Sequence, residues 1–152
     1  MKKRILFVLA VLMVLTFIGI INTLAHKETI YTNPIRIGGK DLMVQIADTS
    51  QLRTKGLSGR KELPPGNGML FIFPSTNVVS FWMPDMYFPI DIIFIRDKKV
   101  THIEHNVPNF PAGTPLEDLP HYSSLEPINM VIEVPAGWTK INNIDVGSLL
   151  ET

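Results

Sequence analysis

FWMPDMYFPIDIIFI, residues Phe81–Ile95, is the stretch whose reading decides the fold. It divides into two apolar strand segments joined by a tight proline-containing bend. Phe81, Trp82 and Met83 close the first segment, and Pro89–Ile95 form the second. Pro84 and Pro89 lack the N–H that a β-ladder needs, which puts each at a strand end. Ile90, Ile92, Ile93, Phe94 and Ile95 are β-branched or aromatic, the composition of a strand buried on both faces. Asp91 interrupts the run. An isolated carboxylate is costly to bury, so Asp91 needs a partner or a place at the rim.

Downstream, Arg96–Lys99 is a polar turn leading into a strand over Val100–Val107. Asn106–His121 carries Pro108, Pro111, Pro115 and Pro120 with Gly113, the composition of an ordered surface loop. Asn129–Val134 is a further strand stopped by Pro135. Ala136–Asn142 makes one or two helical turns, and Leu149–Glu151 is a final short strand. Upstream, Gly68–Phe73 is a strand ended by Pro74, with Ser75–Asn77 as a loop. Asp48 caps a short helix, with Gln51 three residues on as in a capping box, and Gly56 stops it. Pro34–Gly38 and Lys40–Ala47 read as a hairpin around Gly38-Gly39. Short strands with regular turns and two small helices predict a mainly β domain, a compact β-sandwich or barrel.

Lys2–Arg4 precedes Ile5–Ile21, a run without charge. As a helix it spans about 26 Å at about 1.5 Å per residue, near the lower limit for crossing a bilayer. Secretory signals usually have a shorter apolar region, which favours an uncleaved transmembrane helix, although Thr23-Leu24-Ala25 resembles a cleavage site. Either way the basic flank stays in the cytoplasm and the bulk of the chain is exported. The expected organisation is a membrane anchor or signal sequence over residues 1–25, a polar spacer over 26–33 and a β domain over 34–152. The expected location is the cell membrane, single-pass with the C-terminal domain outside the cytoplasm, or outside the cell after cleavage near Ala25.

Charge and cysteine content narrow the chemistry. Lys2, Lys3 and Arg4 are three of the 14 basic residues, leaving 11 against 14 acidic groups in the remainder, a net of −3. That argues against nucleic acid, which needs clustered positive charge. The chain has no cysteine, which excludes disulfides, thiolate nucleophiles and Cys-ligated metals.

Several short motifs follow one another in a specific order: Arg53-x-x-Gly56-Leu57-x-x-Arg60, Gly68-Met69-Leu70-Phe71, Phe81-Trp82-Met83 and Pro89–Ile95, then Tyr122-x-Ser124 and Ile132-Glu133-Val134-x-Ala136-Gly137. In this order they resemble the DUF192 (UPF0127) family over about Lys40 to Glu151. The resemblance implies a compact mainly-β domain, often behind a signal or membrane anchor, with no established biochemical activity. Two positions depart from the family pattern. Ser58 stands where the family commonly has Met, and Pro84-Asp85-Met86 replaces a typical Lys-Asn-Thr, which shifts the chemistry of that loop.

Each candidate for chemistry has an ordinary alternative. Gly56-Leu57-Ser58-Gly59 lacks the Gly-x-Ser-x-Gly spacing of a nucleophile elbow and follows a helix instead of a strand. His102 and Glu104 share one strand face while His105 points to the other, so a metal site needs a distant third ligand such as His121. Arg53 and Arg60 form either an anion-binding pair or ties between loops and carboxylates. Asp91 either accepts from loop amides, pairs with Arg53 or Arg60 to fix the bend, or joins Asp85 in acid–base work. Met86, Tyr87 and Phe88 lie in the bend, as core or as a surface patch.

Two functional classes remain. One is a membrane-tethered extracytoplasmic binding or accessory module. The other is a small enzyme using Asp91 with Arg53 or Arg60 at a surface pocket. The chain carries no complete nucleophile, metal or cofactor signature, which favours the module. The ligand-binding candidates are Arg53, Arg60, Trp82, Asp85, Asp91, Tyr122 and Glu133. No cofactor is expected, and the expected partners are the membrane and a small molecule or protein.

Overall fold

Gly38 and Gly39, at φ of 53° and 76°, turn the chain tightly between β1 (Asn33–Ile37) and β2 (Lys40–Ala47). Glycine takes successive left-handed conformations at the least cost, so the expected hairpin forms there. The computed structural model describes residues 31–111 and 113–151. The expected transmembrane helix and most of the spacer lie outside the described residues, and no described helix is long and apolar enough to cross a membrane.

Helix α1 (Ser50–Lys55) carries the chain to β3 (Asn67–Asn77), which lies parallel to β2. The helix is capped by Thr49, whose side chain accepts from Leu52 N at 3.2 Å, and not by Asp48. Asp48 instead gives its carbonyl to Arg53, at 2.7 Å. Strand β3 passes through Pro74, where a strand end was expected. Its ladder with the partner strand shifts register between Ile72 and Asn77, so the missing proline N–H costs no ladder bond there. The chain continues through β4 (Ser80–Phe81), β5 (Ile90–Arg96) and β6 (Lys99–Val107), then a single 3-10 turn at Leu116–Asp118. It ends with β7 (Tyr122–Ser123), β8 (Ile128–Pro135), α2 (Trp138–Asn142) and β9 (Leu150–Glu151).

Seven strands form one sheet in the order β6-β5-β8-β3-β2-β1-β9, and β4 pairs with β7 separately. As its apolar run requires, β5 is an inner strand, flanked by β6 and β8, with Ile90–Ile95 wholly shielded from solvent. The sheet curls into a half-barrel. Its two edges meet at one point, where Lys99 bridges Leu149, Val100 N donates to Ser148 O at 2.9 Å and Leu150 N donates to Lys98 O at 2.8 Å.

Alternation along the strands divides the core in two. Every strand of the sheet contributes to the first cluster, which includes Ile37, Val44, Leu70, Ile95, Ile103, Ile132 and Leu150, placing it inside the curl. The second lies on the outer face of β3, β5 and β8, with Met69, Phe71, Ile92, Phe94 and Val131. Leu57, Leu63, Met83 and Met86 cover it from the segments after α1 and β4. From Tyr31 onward the chain forms a compact unit with its own core.

Candidate ligand-binding cleft

Strand parity sends Asp91 and Glu133 to opposite faces. Asp91 alternates with Ile90 and Ile92 and so shares the inner face of the sheet with Ile93 and Ile95. Its side chain is completely buried and accepts four hydrogen bonds: from Asn106 N (2.9 Å) and Gly137 N (3.0 Å) on Oδ1, and from Thr139 N (3.0 Å) and Thr139 Oγ1 (2.6 Å) on Oδ2. Asn106 lies at an irregularity where β6 slips against β5, and Asp91 takes up the amide that the ladder leaves free. Gly137 and Thr139 open α2, which has no cap from its own side chains, so a strand carboxylate caps the helix from across the fold. Of the alternatives open to Asp91, the loop amides hold it; neither Arg53 nor Arg60 does. The proton of Thr139 Oγ1 is committed to Asp91. The contact of that oxygen with His105 Nδ1, at 3.0 Å, is therefore donated by the ring, which assigns the tautomer of His105.

Glu133 alternates with Ile132 and Val134 and faces outward between Met69 of β3 and Ile92 of β5. There it lines a cleft of about 210 Å³. One wall runs from Arg53 to Ser58, along the end of α1 and its exit. The other runs from Val79 to Met86, and Phe71 and Phe73 form the floor with Glu133. Gly56, at φ 48°, lets the helix end sharply, and a Cβ there would meet the Phe71 ring at 3.6 Å. Phe81 packs edge-on against Phe71, Phe73 and Phe94, with ring centroids 5.2, 6.5 and 6.1 Å away. Contacts of this kind hold the aromatic wall rigid. The two walls are laced together: Ser58 Oγ donates to Pro84 O at 2.8 Å and Gly59 N to Asp85 O at 2.9 Å. Ser58 and the Pro84–Met86 segment are the two departures noted in the sequence, and here they touch each other.

The electrostatics of the cleft centre on Glu133. It is 6% exposed, and its carboxyl oxygens, which no described group hydrogen-bonds, are open to the cleft and not sealed in the core. Burial pushes its pKa up to about 8, against a smaller lowering by the charge of Arg60. At neutral pH the cleft therefore presents a protonated carboxyl, a hydrogen-bond donor in apolar surroundings. Arg60 donates to Tyr31 Oη at 3.0 Å and to Gln45 Oε1, so it is held beside the cleft and its guanidinium is already engaged. Arg53 is fixed differently. Its Nη1 donates to the carbonyls of Asp48 (2.7 Å) and Ile72 (2.8 Å), and its guanidinium lies 5.5 Å from the Phe73 ring centre. Its other N–H groups have no hydrogen-bond partner among the described residues, and the side chain lines the cleft.

The other sequence candidates scatter. Trp82 forms part of the cleft rim, 45% exposed, with its ring 5.6 Å from that of His121. Asp85 takes a left-handed conformation and faces a separate small depression under the proline-rich loop. Tyr122 pairs with Phe81 in the small sheet, and burial, helped by Glu104, raises its pKa. His102 and Glu104 form a pair at 2.8 Å, and no group of three metal-ligating side chains occurs among the described residues. The structure thus brings Arg53, Trp82 and Glu133 to one cleft and keeps Asp91 and Asp85 out of it. Sequence reading missed Phe71, Phe73 and Ser58 as lining residues. For Phe71 and Phe73 the one signal was the alternation along β3, which reads as core, and for Ser58 it was the departure from the family pattern.

Comparison with known proteins agrees on the family. A model of the DUF192 family, described as an uncharacterized ACR, matches residues 33–152. A crystal structure from Sinorhizobium meliloti 1021, of a protein described as a candidate transcription regulator, is 33% identical with a TM-score of 0.69, covering 82% of this chain and 96% of that one. A protein of unknown function from Novosphingobium aromaticivorans DSM 12444 is 27% identical with a TM-score of 0.71, covering 78% and 84%. No curated protein matches the chain at a significant level. With the family model spanning the whole β domain and these two solved folds superposing on it, the chain belongs to the DUF192 family.

Proposed function

We propose that this protein is a membrane-tethered binding module, and that its ligand site is the aromatic cleft between α1 and β4, held outside the cytoplasm. The observation that carries the site is Glu133. The residue is 6% exposed, no described group hydrogen-bonds its carboxyl, and its oxygens are open to the cleft, so the carboxyl is free to meet a ligand there. The cleft volume lies below the roughly 300–1,000 Å³ usual for drug-sized ligands, so its occupant is a small molecule or a single side chain and not a nucleotide cofactor. The enzyme reading required Asp91 beside Arg53 or Arg60, and Asp91 is committed to the amides of α2 on the opposite face. The description of the Sinorhizobium neighbour points towards nucleic acid, but here acidic groups outnumber basic ones beyond Arg4.

The site is tested by amide and indole NMR shifts of the domain from Tyr31 onward, titrated with small apolar acids, amides and amines. Shifts should concentrate at Gly56, Ser58, Phe81 and the Trp82 indole. If no probe moves these signals at roughly millimolar concentration, the cleft is not a ligand site. The tether is tested separately. Motivated by Lys2–Arg4 followed by Ile5–Ile21, a C-terminal reporter that is active only in the cytoplasm should stay silent, and strong activity would refute export.

A further inference from the structure

The polar groups of the cleft select among ligands, given that the cleft is a ligand site at all. Arg53 and Lys55 both line it, and neither has an ion-pair partner among the described residues. Arg53 is anchored through one nitrogen and stacked on Phe73, so its free edge is preorganised and loses little entropy on binding. Glu133 is the acidic residue of the cleft, and it is uncharged at neutral pH. Among the described residues, no other acidic group lines the cleft, and the charged groups around Glu133 are all basic. Arg53 and Lys55 come from α1 and Arg60 from the following loop, while β3 and β5 offer Met69 and Ile92. At neutral pH the cleft is therefore an apolar slot with positive charge at its α1 wall and a neutral hydrogen-bond donor in its floor. A cationic ligand would find aromatic faces, but also two unpaired positive charges. An anionic one finds a guanidinium edge suited to a carboxylate.

We propose that the cleft binds a small organic monocarboxylate with an apolar or aromatic body, its carboxylate on the free edge of Arg53 and a neutral oxygen of its far end accepting from Glu133. The body lies against Phe71, Phe73 and Phe81. Ionisation of Glu133 removes the donor and adds a negative charge, so binding weakens as the pH rises.

Three probes of similar size decide it: 3-(4-hydroxyphenyl)propanoate, 3-phenylpropanoate and tyramine, titrated by calorimetry into the domain from Tyr31 onward between pH 6 and pH 9.5. The hydroxylated acid should bind best at pH 6–7, and its affinity should fall by about tenfold per pH unit above about 8. Glu133→Gln keeps a donor, so binding at pH 7 should persist and the fall at high pH should vanish. Glu133→Leu should weaken the hydroxylated acid about tenfold, the loss of one hydrogen bond in a dry site, and leave 3-phenylpropanoate nearly unchanged. If tyramine binds as tightly as the acids, or its affinity rises with pH, the anion proposal is overturned while the cleft remains a ligand site. If none of the three binds the wild-type domain and the NMR shifts are also absent, the ligand-site reading falls with it.

Discussion

Replacing Asp91 by alanine is expected to destabilise the domain by about 3–5 kcal/mol. Hydrogen bonds to a charged group contribute roughly 1.5–3 kcal/mol each, and water entering the gap relieves part of the loss. The substitution strips partners from two backbone amides and one amide–hydroxyl pair at once: Asn106, Gly137 and Thr139. Thr139 is completely buried, so its groups are not rescued by bulk solvent. Asp91→Asn should cost less, about 2–3 kcal/mol. One oxygen can still accept from Asn106 and Gly137, but the new NH₂ then faces the N–H of Thr139. Denaturant unfolding of the domain from Tyr31 onward gives both values. Midpoints near wild type for both variants would remove Asp91 from the structural framework. A large effect for both variants, with the cleft NMR signals intact, would confirm that the α2 anchor and the cleft are separate devices.

The second large effect belongs to Glu133 and depends on pH. Its pKa in the fold is about 8, against 4.5 for an unburied Glu. Below about 4.5 both folded and unfolded chains hold the proton. Between about 4.5 and 8 the folded chain keeps it while the unfolded chain releases it, so stability declines as pH rises across that window. Above about 8 the loss is complete. The ceiling on this loss is about 5 kcal/mol, since one pKa unit corresponds to about 1.4 kcal/mol. Glu133→Gln has no proton to lose, so the difference between variant and wild type isolates this one group. The variant should be close to wild type at pH 4.5 and more stable by several kcal/mol at pH 8.5, read from urea midpoints at each pH. Parallel profiles for the two proteins would show that Glu133 ionises as readily in the fold as out of it.

How far this architecture can be read from sequence depends on the range of the forces involved. The central strand was legible because five large apolar side chains in β5 have no other way to be satisfied. The hairpin was legible because two adjacent glycines have one principal use. The cap of α1 falls one residue later than expected: Asp48 and Thr49 are both good caps, and in the fold Thr49 accepts from Leu52 N while Asp48 gives its carbonyl to Arg53. The course of β3 through Pro74 depends on where β8 loses register, a relation between segments more than fifty residues apart. The same holds for the site. Arg53, Trp82 and Glu133 were recognisable as polar or amphipathic residues in a family pattern. That Asp91 turns inward and Glu133 outward depends on the parity of two strands and on where a distant helix begins. That Glu133 opens into a cleft between apolar neighbours is visible only once β3 and β5 flank it.

The joining of β1 to β9 has a consequence for how the chain matures. Ile37 pairs with Leu150, so the outer partner of β1 comes from the far end of the domain. At a synthesis rate of about 5–20 residues per second, β1 is made on the order of ten seconds before β9 exists to cover it. During that interval the β1–β2 hairpin presents a bare row of peptide groups, open to annealing with the same hairpin of a neighbouring nascent chain. The bridge between Lys99 and Leu149 forms in the same late step. A chain stopped short of Ser148 would therefore remain with both rims of its sheet unsealed, a substrate for proteases and for aggregation, however well its other strands had paired.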